Sequence, residues 1–558
     1  MQTGTKGTAR ARGMLVAMVA LVVLGALQGS ALAAGTATGF EVRRVQSLPV
    51  SAPLPMAGQV ASALDYGGVG ANGVFFRPVN GTNEHSPLAF PSLQIGTDFS
   101  ADPEATRTTL HLPPGQLGNP YLPACDKEIT VSGLQGCPSP SKVGEVTLNG
   151  QSGSIYNYNP AKLPDPSDRT APGAVALVVG APMNYAKAAP ILVVPRGNGN
   201  YGLDSSTDLA GFHITSLRIL QYGLVPQNVT DPLPALPYIF NPTECNTAVA
   251  TSDTTFADGS TSHASFTMMP RPAENGHPAS DRAQLDSECA RFPWNGVEPS
   301  GAGTQDNPKL RVTAFATVDG DDDGAVEQPD EYRFRFITPA RGGIPYQSHY
   351  ERLTAVLPQG VGISPAAASS ADFTICTPDQ FAADSVRPAA CPKASQIGDM
   401  TALSPLLDGD RSTPVDVFKL AQDGCNGPAD NPCQNLVTQA HLDPIGGDVW
   451  AGPQVEGHPN QFRIFGEITD GGITRVKLQG VATANEQTGQ VTAVFDNLPQ
   501  LPVYDVEQRF FGGDHATLTN PDTCGQFTVG SELVPWAAIH DGRQLGGRPA
   551  PATTADGF

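Results

Sequence analysis

A chain of 558 residues with 54 acidic against 33 basic side chains carries a formal charge of −21. That argues against nucleic acid or an anionic membrane surface as a partner, because counterion release needs Lys and Arg clusters that this chain lacks. Its 60 glycines and 52 prolines cut short any long helix. The 40% hydrophobic content, in short runs between turn signals, excludes low-complexity disorder. Many short strands joined by loops remain, with length for about three domains or two larger all-β ones.

Lys6, Arg10 and Arg12 precede an apolar run from Met14 to about Leu27 and the small residues Gly29, Ser30, Ala31 and Ala33. The run is short for a span of about 20 residues, so residues 1–33 read as a secretory signal peptide cut after Ala33, with an uncleaved anchor as the alternative. Residues 34–70 read as an extended or disordered tail. Leu93, Ile95 and Phe99 alternate with polar residues; Leu310, Val312, Ala314, Ala316 and Val318 keep the same period, as do Tyr332, Phe334 and Phe336. Each set predicts a strand with one apolar face. Between Phe462 and Phe495 the chain reads as a meander turning at Asp470-Gly471-Gly472 and Thr488-Gly489, with Ile473, Val481, Val491, Ala493 and Phe495 in its strands. No amphipathic helix recurs between strands, which disfavours a parallel α/β fold. No later apolar stretch reaches spanning length, so no membrane insertion is expected.

An internal repeat organises the chain. Leu112-Pro113-Pro114-Gly115, Asn119-Pro120, Cys125, Cys137-Pro138 and Ser141-Lys142-Val143-Gly144-Glu145-Val146 follow one another in the first half. The second half answers with Leu357-Pro358-Gln359-Gly360, Ser364-Pro365, Cys376, Cys391-Pro392 and Ser395-Gln396-Ile397-Gly398-Asp399-Met400. Ile214, Leu217, Tyr222 and Gly223 match Val503, Val506, Phe511 and Gly512, and Asn241-Pro242-Thr243-Glu244-Cys245 matches Asn520-Pro521-Asp522-Thr523-Cys524. Two antiparallel β-sandwich-like units are expected, at residues 71–300 and 305–535, joined by Pro299–Asn307 and followed by a tail at 536–558.

The block Thr492-Ala493-Val494-Phe495-Asp496-Asn497-Leu498-Pro499-Gln500-Leu501-Pro502, continuing through Phe510-Phe511-Gly512-Gly513 to Ser531-Glu532-Leu533-Val534-Pro535-Trp536, resembles a signature of large secreted repeat proteins of high-GC Gram-positive bacteria. The Leu-Pro-Pro-Gly and Cys-Pro blocks of the first half resemble the same group. The resemblance implies extracellular β repeats and brings no activity, substrate or catalytic residue.

Nine cysteines in an exported chain read as bridges. The repeat suggests Cys125 with Cys137, Cys376 with Cys391 and Cys245 with Cys289; Cys425 and Cys433 close a local loop, leaving Cys524. A zinc site is the rival, but no Cys-x-x-Cys pair exists. The Asp319–Asp330 loop places Asp319, Asp321, Asp323, Ala325, Glu327 and Asp330 at the ligand positions of an EF-hand-type loop, with Glu331 an alternative to close the shell, so a structural calcium ion is expected there. A metal-free acidic hairpin is the alternative reading.

No His-Glu-x-x-His, Gly-x-Ser-x-Gly, Walker or dinucleotide pattern occurs. The ten histidines are scattered, His441, His458 and His515 in probable loops. Tyr156, Tyr158 and Tyr201 lie near Asn, Gly and Pro as in loops that stack on sugars, but that pattern alone does not make them a binding site, and Phe511 and Tyr222 fit core packing. The expectation is a secreted, non-enzymatic repeat protein with a structural or adhesive role at the cell envelope, its partner a polysaccharide or envelope component. The alternative is a secreted carbohydrate-binding module or hydrolase, whose paired carboxylates follow no sequence spacing.

Overall fold

The computed structural model describes residues 34–45, 92–197, 200–225, 236–244, 248–268, 311–317, 326–338, 340–341, 344–345, 349–364, 373–416, 419–420, 425, 427–428, 431–513, 516–536 and 552–557. Of these, 43–45, 224, 236–237, 311–317, 340–341, 344–345 and 552–557 are described by backbone alone.

Among the described residues the longer strands form two sets of eleven. The first comprises β1 (Ala37–Val45), β2 (Ser92–Phe99), β3 (Ala105–His111), β4 (Lys142–Leu148), β5 (Gln151–Tyr158), β6 (Gly173–Val179), β7 (Tyr185–Pro195), β8 (Tyr201–Asp208), β9 (Ser216–Gln221), β10 (Val249–Phe256) and β11 (Thr261–Thr267). The second comprises β12 (Arg311–Thr317), β13 (Pro329–Ile337), β14 (Tyr350–Val356), β15 (Gln396–Leu403), β16 (Ile445–Val455), β17 (His458–Asp470), β18 (Thr474–Ala484), β19 (Val491–Phe495), β20 (Asp505–Phe510), β21 (Thr528–Pro535) and β22 (Ala552–Gly557).

The first sheet is ordered β1-β2-β9-β4-β5-β6-β7-β8-β3-β10-β11, and the second β12-β13-β20-β15-β16-β17-β18-β19-β14-β21-β22, the same order with every label advanced by eleven. Register agrees as well: Thr108 faces Thr254 in the first unit, and Leu353 faces Leu533 at the same place in the second. The protein is therefore all-β, two duplicated antiparallel units. The first sheet curls until its edges meet, where Gly35 N–H donates to Ser260 Oγ (2.9 Å) and Ala37 N–H to Ser262 Oγ (3.1 Å). β1 and β22, within the segments read as tails, are edge strands of the two sheets.

The repeated residues explain the repeated geometry. Gly115 and Gly360 have φ of +73° and +98°, and Gln116 N–H and Val361 N–H reach back 3.2 Å to the carbonyls of Pro113 and Pro358. Both are turns that need glycine at the third position. Ser141 Oγ and Ser395 Oγ each donate to a proline carbonyl, Pro138 and Pro392, at 2.7 Å. Gly144 and Gly398 each follow a register shift, where a Cβ would lie 2.4 Å from Leu220 O and 2.1 Å from Arg509 O. Such close approach by a neighbouring strand leaves room for glycine alone.

Both faces of the central strands are buried. In β6, Val175, Leu177 and Val179 enter the interior core, while Ala174, Ala176 and Val178 lie under an outer lobe with Cys125, Leu134 and Tyr158. The second unit repeats this, with Ile464 and Ile468 inward and Phe465 outward against Cys376, Phe381 and Trp450. Each lobe carries a short helix, α1 (Val131–Gln135) or α2 (Pro378–Phe381), capped by Thr130 or Thr377, and a disulfide, Cys125–Cys137 or Cys376–Cys391. A third helix, α3 (Gln434–Thr438), follows the Cys425–Cys433 bridge. Ile473, expected in a strand, lies in the turn between β17 and β18, because those strands end at Asp470 and begin at Thr474. Among the described residues no helix is long and apolar enough to cross a membrane.

Candidate functional site

The repeated turns converge at one end of the first unit. Asn119 N–H donates to Tyr238 O (2.9 Å) and Gln116 Nε2 to Phe240 O (2.6 Å), bringing the turn at Gly115 beside the turn at Asn241–Glu244. The opening between them, lined by Leu110, Leu117, Ile191 and Tyr201, receives Pro499, Gln500 and Leu501 of the second unit, and a cavity of about 140 Å³ remains around them.

Gln500 is the centre of this contact. Its Oε1 accepts from Thr243 N–H (3.1 Å) and Glu244 N–H (3.0 Å), and its Nε2 donates to Glu244 Oε2 (3.1 Å). Gln500 and Thr243 are both buried, so the carboxamide satisfies turn amides that would be costly to leave unpaired. A Cβ on Gly115 would fall 2.6 Å from Gln500 Cδ, so the glycine's bareness admits the side chain as well as the turn. Around it, His349 N–H donates to Thr243 Oγ1 (3.3 Å), Lys477 N–H donates to Tyr201 Oη (2.6 Å), and Arg411 Nη1 donates to Pro172 O (3.5 Å). His349 is buried, and burial pushes its imidazole down to about 3. Burial likewise pushes the Tyr201 phenol up to about 12.

The residues singled out from sequence distribute differently. Asp319, Asp321, Asp323 and Ala325 lie outside the described residues, as do Cys245 and Cys289. Glu327 is exposed, with φ +59° and its N–H on Pro521 O (3.1 Å). Asp330 is buried at the start of β13, where Oδ1 accepts from Glu331 N–H (2.7 Å) and Oδ2 from Asn520 Nδ2 (2.9 Å). Glu331 in turn pairs with Arg333 (2.6 Å). Both residues expected to close a calcium shell thus hold protein partners. Cys524 is a free, exposed thiol. His441 and His458 are exposed, and His515 is outside the described residues.

The tyrosines near Asn, Gly and Pro pack inside the fold. Tyr156 and Tyr158 are buried in β5 beneath the disulfide lobe, and Tyr158 Oη donates to Lys127 O (2.8 Å). Tyr201 sits between the units. None of the three offers a ring to a sugar. Phe511 and Tyr222 do occupy matching places, their N–H groups bonded to Ile397 O and Val143 O; Tyr222 is buried, Phe511 half-buried against Arg509.

Charged groups elsewhere pair across strands. His111 bridges Asp204 (2.9 Å) and Asp253 (3.0 Å), and His263 meets Asp253 at 2.8 Å. The hydrogen bond from His263 holds the Asp253 carboxyl below its usual range against its desolvation, and His111 adds to the lowering. Lys477 Nζ donates to Phe381 O (2.7 Å) and Ala382 O (2.8 Å), pinning the end of α2; burial lowers its pKa. These arrangements fasten strands and lobes together. Among the described residues no group of three or more metal-ligating side chains converges.

Neither a family model nor a curated protein matches this chain. Solved structures with some similarity include a biofilm-associated protein BSP domain, at 9% identity over 83% of this chain and 55% of that one, TM-score 0.13. Others are a DUF4466 family protein from Parabacteroides merdae (8% identity, 75% of this chain and 91% of that one, TM-score 0.11) and dimeric latent PorU from Porphyromonas gingivalis (10% identity, 88% and 32%, TM-score 0.11). The chain spans just over half the length of the first. At TM-scores this low, the likenesses carry no argument about function.

Proposed function

We propose that the chain is an exported, non-enzymatic structural or adhesive protein of the cell envelope, in which two β units are locked head to tail into one stiff body. The observation that carries this reading is the seating of the Pro499–Leu501 loop in the mouth of the first unit, with Gln500 bonded to Thr243 and Glu244. A buried contact of this kind removes the hinge expected between duplicated domains. The bridges Cys125–Cys137, Cys376–Cys391 and Cys425–Cys433 support folding in an oxidising compartment, and residues 1–33 supply the export signal.

Calcium at the Asp319–Asp330 loop belongs to the same proposal as a structural ion fastening β12 to β13. Thermal unfolding with millimolar calcium and with chelator tests it, and an unchanged midpoint leaves a solvated acidic turn. For the function itself, the mature protein is incubated with cell-wall and plant polysaccharides while retention and product release are followed. The reading expects no released sugar; released sugar would make the protein a hydrolase.

A further inference from the structure

The mouth that the first unit closes with the Gln500 loop has a counterpart in the second unit, and register identifies it. Across the first sheet one row reads Ser252, Leu110, Ser205, Ile191, Gly173; across the second the corresponding row reads Ser531, Ala355, Ala493, Ala482, Phe462. Three alanines stand where the first unit has leucine, serine and isoleucine. They open a cavity of about 540 Å³ walled by apolar side chains that include Phe334, Phe336 and Phe495. That lies in the range of about 300 to 1,000 Å³ usual for small-molecule sites. Ile363, Ile375 and Phe462, which line it, are 37%, 42% and 38% exposed, so the cavity opens to solvent through an apolar rim.

Polar side chains along its wall lack partners. Ser364, Thr517 and Gln508 line the cavity, and their Oγ, Oγ1 and Nε2 atoms are buried and bond nothing among the described residues. Ser364 and Thr517 are adjacent, Ser364 N–H donating to Thr517 O at 2.8 Å. Gln508, which faces Phe334 and Met400, takes the place of Ile219, which faces Ile95 and Val146. An apolar hole with a buried amide is destabilising on both counts, and a ligand with an apolar body and an oxygen acceptor removes both penalties at once.

We propose that the cavity of the second unit binds one long acyl chain, as a fatty acid or an acyl ester, its oxygen-bearing head taking hydrogen bonds from the side chains of Ser364, Thr517 and Gln508. In the first unit the bulkier Leu110 and Ile191 and the Gln500 loop fill this place.

The test titrates the delipidated mature protein with cis-parinarate, a fluorescent long-chain fatty acid, and displaces it with palmitate or with monopalmitoylglycerol. Saturable binding at one probe per chain is expected, and the better competitor tells acid from ester. Ala482→Ile combined with Ala493→Leu, which refills the wall, should abolish binding and raise the unfolding temperature. Ser364→Ala with Thr517→Val leaves the walls intact and should weaken binding about tenfold or more, the combined effect of two lost hydrogen bonds. Absence of saturable binding, or equal binding by the refilled variant, overturns the proposal. So does a probe-free dimer in sedimentation that the refilled variant abolishes, because the cavity would then take a loop of a second copy.

Discussion

Gln500 and Thr243 stand 257 positions apart in the sequence and 3.1 Å apart in the fold, carboxamide oxygen to backbone nitrogen. Because Glu244 N–H shares the same oxygen, Gln500→Ala removes one acceptor from two turn amides together. Loss of about 1 to 3 kcal/mol in denaturant unfolding is expected. Gln500→Glu should cost more at pH 7, since it sets a second carboxylate beside Glu244, and should recover part of the loss as the pH falls through the carboxylate range.

Gly144 and Gly398 fill equivalent bulges, so Gly144→Ala and Gly398→Ala should each destabilise by about 1 to 3 kcal/mol through backbone overpacking. Gly446 in β16 has nothing within 4 Å of its would-be Cβ, and Gly446→Ala should stay within about 0.5 kcal/mol of the parent. Chemical denaturation of the three variants checks the pattern.

His349 gives stability a pH dependence whose sign follows from its burial. Unfolded, the imidazole takes a proton at its ordinary 6.5; folded, it stays neutral down to about 3. The folded state is therefore unpenalised above pH 6.5 and loses stability as the pH falls from there towards 3. Between pH 7 and 5, where most carboxylates remain charged, the loss should approach about 1 kcal/mol per pH unit. His349→Gln should flatten the slope, whatever its effect at pH 7. Urea melts across that range decide it, and an unchanged slope in the variant assigns the dependence elsewhere.

Non-reducing peptide mapping should recover Cys125 joined to Cys137 and Cys376 joined to Cys391, bridges separated by 12 and 15 residues. Replacing either pair with alanine should cost about 2 to 4 kcal/mol and loosen the lobe over β5 and β6, or over β16 and β17, before the sheet itself. Cys524, exposed and free, should be the residue that a thiol reagent labels in the native protein.

Much of this architecture was legible in the residues. Tyr332, Phe334 and Phe336 alternate because β13 has one face on the core, and the paired blocks at Gly115/Gly360 and Gly144/Gly398 repeat because each glycine meets a backbone constraint that recurs in both units. The burial of Tyr156 and Tyr158 was not legible because the disulfide lobe covers the outer face of β5, so that Ile155, Tyr156, Asn157 and Tyr158 are all buried and no alternation survives. Gln500 stood in a block that could be quoted, but its partners belong to the other unit and no local spacing points to them. The row of alanines at 355, 493 and 482 was invisible for a related reason: it runs across strands, and only the register of the sheet assembles it.

Hydrogen exchange at the Thr243 and Glu244 amides tests the locked pair of units most directly. The account predicts strong protection in the parent protein and exchange at least tenfold faster in Gln500→Ala, with the amides of the β6 core strand unchanged. Rapid exchange of both amides in the parent protein would contradict it, because the loop would then not be seated and the two units would move independently.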